Sequence, residues 1–142
     1  MIGVVIVAHG SLAQEYLRAI EHVCGAQKDI RAISIEGDHD RMQKQAEICE
    51  AADSVDVGDG VLIVTDLFGG SPSNLSLKAC QPSNRRILYG ANLPMLLKLA
   101  KSRHLSVTDA ARAALTAGRK YIDSHAVPPE GEDGSEDPNQ DT

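Results

Sequence analysis

Ile2–Ala8 and Val61–Thr65 are two almost wholly aliphatic runs, each followed at once by a residue able to do chemistry, His9 and Asp66. A strand wetted on one face alternates apolar and polar residues. One that is apolar throughout must be covered on both faces, which points to a parallel sheet flanked by helices. The first 104 residues obey that constraint. Ile30–Ile35 and Arg86–Tyr89 read as two further strands, and helical segments separate the four. Ser11-Leu12-Ala13-Gln14 has the form of a capping box, and Leu12, Tyr16, Ile20 and Val23 then make an apolar stripe ending near Gly25. Asp40 caps a second helix with Met42, Ala46 and Cys49 along one face. Ser71-Pro72 opens a third and Pro94 a fourth, which carries Met95, Leu96, Leu97 and Leu99. Thr108-Asp109 starts a last, alanine-rich helix running to about His125. The expected fold is α/β and doubly wound, with a mainly parallel sheet, right-handed crossovers and helices on both faces.

A chain of 142 residues suits one domain with a single core. Its aromatics are Tyr16, Tyr89, Tyr121 and Phe68, so that core is built from Val, Ile, Leu and Ala. Charge is unevenly placed. Residues 128–142 hold three prolines and six acids (Glu130, Glu132, Asp133, Glu136, Asp137 and Asp141) without a Lys or Arg, while residues 1–127 balance 14 acids against 14 bases. The expected organisation is a folded domain over 1–127 and a disordered acidic tail over 128–142. With no basic surplus, nucleic acid is not the expected partner. No apolar run approaches a membrane span, and Ile2–Ala8 lacks the flanks of a signal peptide, so neither membrane insertion nor secretion is expected. Cys24, Cys49 and Cys80 are far apart in the chain, with no C-x-x-C pair. They read as reduced, mostly buried thiols of a cytoplasmic protein, not as a zinc site.

Parallel α/β sheets bind ligands at the carboxyl ends of their strands, where strand order reverses. Three glycine-containing loops should line that edge: His9-Gly10-Ser11, Asp66 to Asn74, and Gly90-Ala91-Asn92-Leu93-Pro94. An imidazole at a strand end can serve as nucleophile, base or metal ligand; it can equally be a histidine bonded to backbone. If the first and third strands are neighbours, Asp66 faces His9. A carboxylate bonded to one ring N–H fixes the tautomer and frees the lone pair of the other nitrogen; the alternative for Asp66 is a carboxylate that caps a turn. Gly69-Gly70-Ser71-Pro72 would supply an anion site, through backbone N–H groups near a helix N-terminus and the Ser71 hydroxyl. Together these point to phosphoryl transfer through histidine, with no cofactor and no metal. His22, His39, His104 and His125 read as surface or helix-end histidines. Arg85-Arg86 reads as a solvated strand start, and Asn92 either pins its loop or makes a turn.

His9-Gly10, Thr65-Asp66-Leu67-Phe68-Gly69-Gly70-Ser71-Pro72-Ser73-Asn74 and Asn92-Leu93-Pro94-Met95-Leu96-Leu97, in that order, resemble a mannose-family IIA component of the phosphoenolpyruvate-dependent sugar phosphotransferase system. The resemblance spans about residues 1–122. It implies that His9 is phosphorylated by the phosphocarrier protein HPr, that Asp66 orients its ring, and that Gly70 and Ser71 hold the phosphoryl group. It also implies a sheet of order 2-1-3-4 and a homodimer that exchanges an edge strand, although the region after Leu105 reads as helix. A IIB acceptor would be a separate protein. Three rivals are weighed beside it. A tetrapyrrole chelatase shares the Ala8-His9-Gly10-Ser11 start but needs metal ligands that Gly69-Gly70-Ser71-Pro72 does not offer. A dihydroxyacetone kinase phosphotransfer subunit fits the second and third motifs less well. A phosphorylation-dependent regulator without a transport role would use the same histidine.

Overall fold

The computed structural model describes residues 1–38, 40–67 and 84–130. The expected helix opened by Ser71-Pro72, the Gly69–Ser71 loop, Cys80, His39 and the tail beyond Glu130 lie outside them. Four parallel strands, β1 (Gly3–His9), β2 (Ile30–Ile35), β3 (Val61–Thr65) and β4 (Arg85–Leu88), form one sheet in the order β2-β1-β3-β4. Helices α1 (Leu12–Cys24), α2 (Arg41–Val55), α3 (Leu93–Lys101) and α4 (Val107–Lys120) complete the described elements.

The pleat of β1 divides the core in two. Val4, Ile6 and Ala8 join Leu62 and Val64 of β3 under α1, α3 and α4, whose contributions include Ile20, Leu96, Leu99, Ala110 and Ala114. Val5 and Val7 point the other way, with Ile33, Ile35, Val61 and Ile63, onto Ile48, Ala51, Ala52 and Val55 of α2. Six of the seven β1 residues are buried, so the wholly apolar run is what a strand covered on both faces requires. The expected doubly wound architecture holds, and β1 and β3 are neighbours.

Several local expectations are corrected. Met42 and Ala46 are exposed and Cys49 half-buried; α2 packs instead through Ile48, Ala51, Ala52 and Val55. Its C-terminal end presses on β1 so closely that a Cβ at Gly3 would fall well inside contact with the Val55 carbonyl oxygen. Ser11 precedes α1 but makes no side-chain cap, its backbone lying at φ −91, ψ 8 and not in the extended region. Leu12 and Val23, expected in the apolar stripe, are exposed. The last helix starts at Val107, capped by the Ser106 hydroxyl, and ends at Lys120. Cys24 is only half-buried. Arg85 is not a solvated strand start: its side chain is 6% exposed and pairs with Asp53 and Asp56, while Arg86 is exposed. Residues 122–129 carry no regular structure, and no fifth strand occurs among the described residues.

Arg103, which belongs to no sequence motif, is a structural cation with 2% exposure. Its Nε donates to the Ile2 carbonyl at 2.9 Å, and its terminal nitrogens donate to Gln27 Oε1 and the Asp29 carbonyl, each at 3.3 Å. It therefore ties the turn after α3 to the start of the central strand. Burial lowers its pKa, and Asp29 opposes that shift.

Candidate functional site

β1 sits between β2 and β3, and the chain passes from β1 to β2 on one side and from β3 to β4 on the other. The crevice where strand order reverses is therefore bounded by the carboxyl ends of β1 and β3. In-register pairing carries Val7 opposite Thr65, which brings the next residues of both strands to the same edge. His9 and Asp66, 57 positions apart in sequence, meet there.

Asp66 Oδ2 lies 3.0 Å from His9 Nδ1 and accepts the His9 backbone N–H at 3.1 Å. A carboxylate can only accept, so this contact places the ring proton on Nδ1 and leaves the Nε2 lone pair available. The carboxylate is 12% exposed and the imidazole 49%, so the orienting group is enclosed while the ring faces solvent. Asp66 Oδ1 is buried and has no hydrogen-bond partner among the described residues. Gly10, at φ 57, donates its N–H to the Ile35 carbonyl at 3.0 Å and turns the chain away from the sheet just past the histidine.

The third loop is anchored. Ala91 N–H donates to the Thr65 carbonyl at 2.9 Å, locking it to the end of β3. Asn92 pins it, as one of its two expected roles: Oδ1 accepts from Met95 N–H at 3.0 Å, capping α3, and Nδ2 donates to the Gly118 carbonyl of α4 at 2.8 Å. Tyr16, read in sequence only as part of an apolar stripe, donates its hydroxyl to the Ala91 carbonyl at 3.3 Å. Burial raises its pKa first, and the Asp66 charge raises it further. A tyrosine in an otherwise aliphatic stripe was the one signal of this polar contact. Gly69, Gly70 and Ser71 begin three positions after Asp66 in the chain and lie outside the described residues. His22 falls in the last turn of α1, and His125 lies 3.8 Å from Asp123. Among the described residues, no group of three or more His, Cys, Asp or Glu converges to hold a metal ion, and no helix is long and apolar enough to cross a membrane.

A solvent-facing histidine, oriented by an enclosed carboxylate at the switch point of a doubly wound parallel sheet, sets the class of protein. The particular family follows from comparison: this chain belongs to the EIIA-man family, described as the PTS system fructose IIA component, whose model matches residues 3–116. YadI of Escherichia coli (strain K12), whose name gives it as a phosphotransferase enzyme IIA component, is 31% identical over 104 residues, covering 72% of this chain and 71% of that one. The PTS system mannose-specific EIIAB component of the same organism is 26% identical over 125 residues, but the match spans only 38% of its length. Among solved structures, the phosphotransferase system component EIIA from Streptococcus agalactiae superposes with a TM-score of 0.78 at 26% identity, covering 87% of this chain and 97% of that one. The chain is thus a IIA component of mannose type.

Proposed function

We propose that this protein is a phosphocarrier that accepts a phosphoryl group on His9 Nε2 from phosphorylated HPr and passes it to a separate IIB component during sugar uptake. The observation that carries this reading is the single-oxygen grip of Asp66 on His9, which occupies Nδ1 and leaves Nε2 of a half-exposed ring as the available nucleophile. In the transfer, Nε2 attacks phosphorus, the donor's nitrogen–phosphorus bond breaks, and that nitrogen recovers its lone pair. The Nδ1 proton stays in place, and Asp66 stabilises the positive charge that grows on the ring. Gly69, Gly70 and Ser71, which follow Leu67 and Phe68 after Asp66, hold the phosphoryl oxygens through N–H and hydroxyl donors. The protein works in the cytoplasm as a homodimer and needs neither metal nor cofactor. Regulation through the same phosphohistidine is the second reading, and membership in the IIA family disfavours a chelatase.

The test is phosphorylation of the purified protein by phosphorylated HPr. One phosphoryl group, stable in base and lost in acid, is expected per chain. His9→Ala should abolish it while leaving the circular dichroism and melting curve intact, because the ring lies at the edge of the core. Undiminished labelling of that variant would move the site elsewhere and overturn the reading.

A further inference from the structure

Helices α3 and α4 pack side by side, and an open cleft runs along their outer seam. Two hollows, of about 540 and about 460 Å³, share Lys98, Ala117 and Tyr121 and so form one continuous surface. Its apolar lining includes Leu97, Ala117 and, where the two hollows meet, Tyr121. Its rim is cationic: Lys98, Lys101, Arg112 and Lys120 all line it. Among the described residues the one acid on the rim is Asp109, already 3.7 Å from Arg112. In a folded body with balanced charge, such a local surplus favours an anionic occupant.

We propose that the chain's own acidic segment, residues 130–142, docks along this cleft. The site is independent of the phosphoryl-transfer reading. Charge complementarity is the first argument, because the segment carries six acids and no base. Connectivity is the second. The chain leaves α4 at Lys120 and passes Tyr121, itself part of the cleft, so the acids are tethered to the cleft itself. The link from Tyr121 to Glu130 can extend at most about 30 Å, whereas α4 from Asp109 to Lys120 is about 16 Å long, so every rim cation lies within reach. A flexible link of this length gives a local concentration of roughly millimolar order. Chain entropy opposes a tight fit, and the contact is salt-sensitive, since the rim cations are exposed and screening sets in beyond about 10 Å at 0.1 M salt.

The experiment is zero-length carbodiimide cross-linking of the full chain, which joins carboxylates to amines only in direct contact. Equal amounts of ¹⁵N-labelled and unlabelled protein are unfolded and refolded together, so that any dimer is isotopically mixed, then treated at low and at high salt, and the linked peptides are identified by mass. Links from residues 130–141 should fall on Lys98, Lys101 and Lys120 several-fold more often than on the exposed Lys28. They should join peptides of one isotope only and fade at high salt. Even yields on Lys28 and Lys101, links solely between labelled and unlabelled copies, or no links at all would overturn the proposal. As a second measurement, neutralising Glu132, Asp133, Glu136 and Asp137 to their amides should shift backbone amide resonances of α3 and α4. Shifts absent from both helices would overturn it equally.

Discussion

One oxygen of Asp66 serves His9 twice, taking the backbone N–H at 3.1 Å and facing ring Nδ1 at 3.0 Å. The main-chain bond fixes where the carboxylate sits, and the ring bond then fixes the tautomer and the direction in which Nε2 points. Position and protonation of the imidazole thus depend on the same atom.

Asp66→Asn is expected to slow phosphoryl transfer without unfolding the protein. The amide can offer its NH2 to Nδ1 and favour the tautomer whose proton blocks Nε2. The corresponding change in a serine-protease triad costs about 10⁴ in turnover. Here the imidazole is itself the nucleophile, and a loss on the order of 10–10³ is expected. Labelling rate measures the loss, and ¹⁵N chemical shifts of the ring report the tautomer. A wild-type rate would reduce Asp66 to a former of its turn.

Arg103→Met should destabilise the fold by about 2–4 kcal/mol, because it strips a buried donor from the Ile2 and Asp29 carbonyls while filling similar space. Urea unfolding followed by circular dichroism gives the value. A midpoint unchanged from wild type would mean that these carbonyls find water instead.

Asp56 caps the turn between α2 and β3. The Gly58 N–H, the Asn84 amide and Arg85 hold its carboxyl below the ordinary range, the backbone bond contributing most. A group whose folded pKa is depressed adds stability above its unfolded value and loses it as pH falls through the folded one. The stability difference between wild type and Asp56→Ala should therefore be full at neutral pH and shrink below about pH 4. Denaturation midpoints at pH 7, 4 and 3 test this; a gap that is constant or widens in acid contradicts it.

Truncation after Val127 should leave the melting temperature and labelling nearly unchanged. Residues 128–142 contain no large apolar side chain and so cannot offset an ordering entropy of roughly 1–2 kcal/mol per residue. Electrostatic docking in the α3–α4 cleft is compatible with this, since exposed ion pairs contribute about 0–1 kcal/mol. A fall of several degrees would show a tail integrated into the core.

Local patterns were legible where one physical demand dominated. The apolar runs of β1 and β3 could only be doubly covered strands, and their boundaries shift by at most a residue or so in the fold. On α2 two faces satisfy helical spacing. Met42–Ala46–Cys49 and Ile48–Ala51–Ala52–Val55 are equally periodic, and the place where the helix crosses the sheet, over Gly3, chooses the second. Ser11 matches a capping box, yet residues 9 and 10 are already held by Asp66 and Ile35, and the backbone they impose turns the hydroxyl out of capping position. Arg85 looks like a surface cation in sequence and Arg103 belongs to no motif; partners 29 to 101 positions away account for their burial.

By itself, then, the sequence determined the layers, the strands, the chemistry available at each strand end and the separation of a neutral body from an acidic tail. These follow from hydrophobic period and composition, which act over a few residues at a time. Only the tertiary structure decided that His9 and Asp66 meet, that one oxygen holds both the main chain and the ring, and that Arg103 is internal. Each of those depends on strand order and register, and strand order is set by how whole faces pack, a sum over both cores that no single stretch of the chain contains.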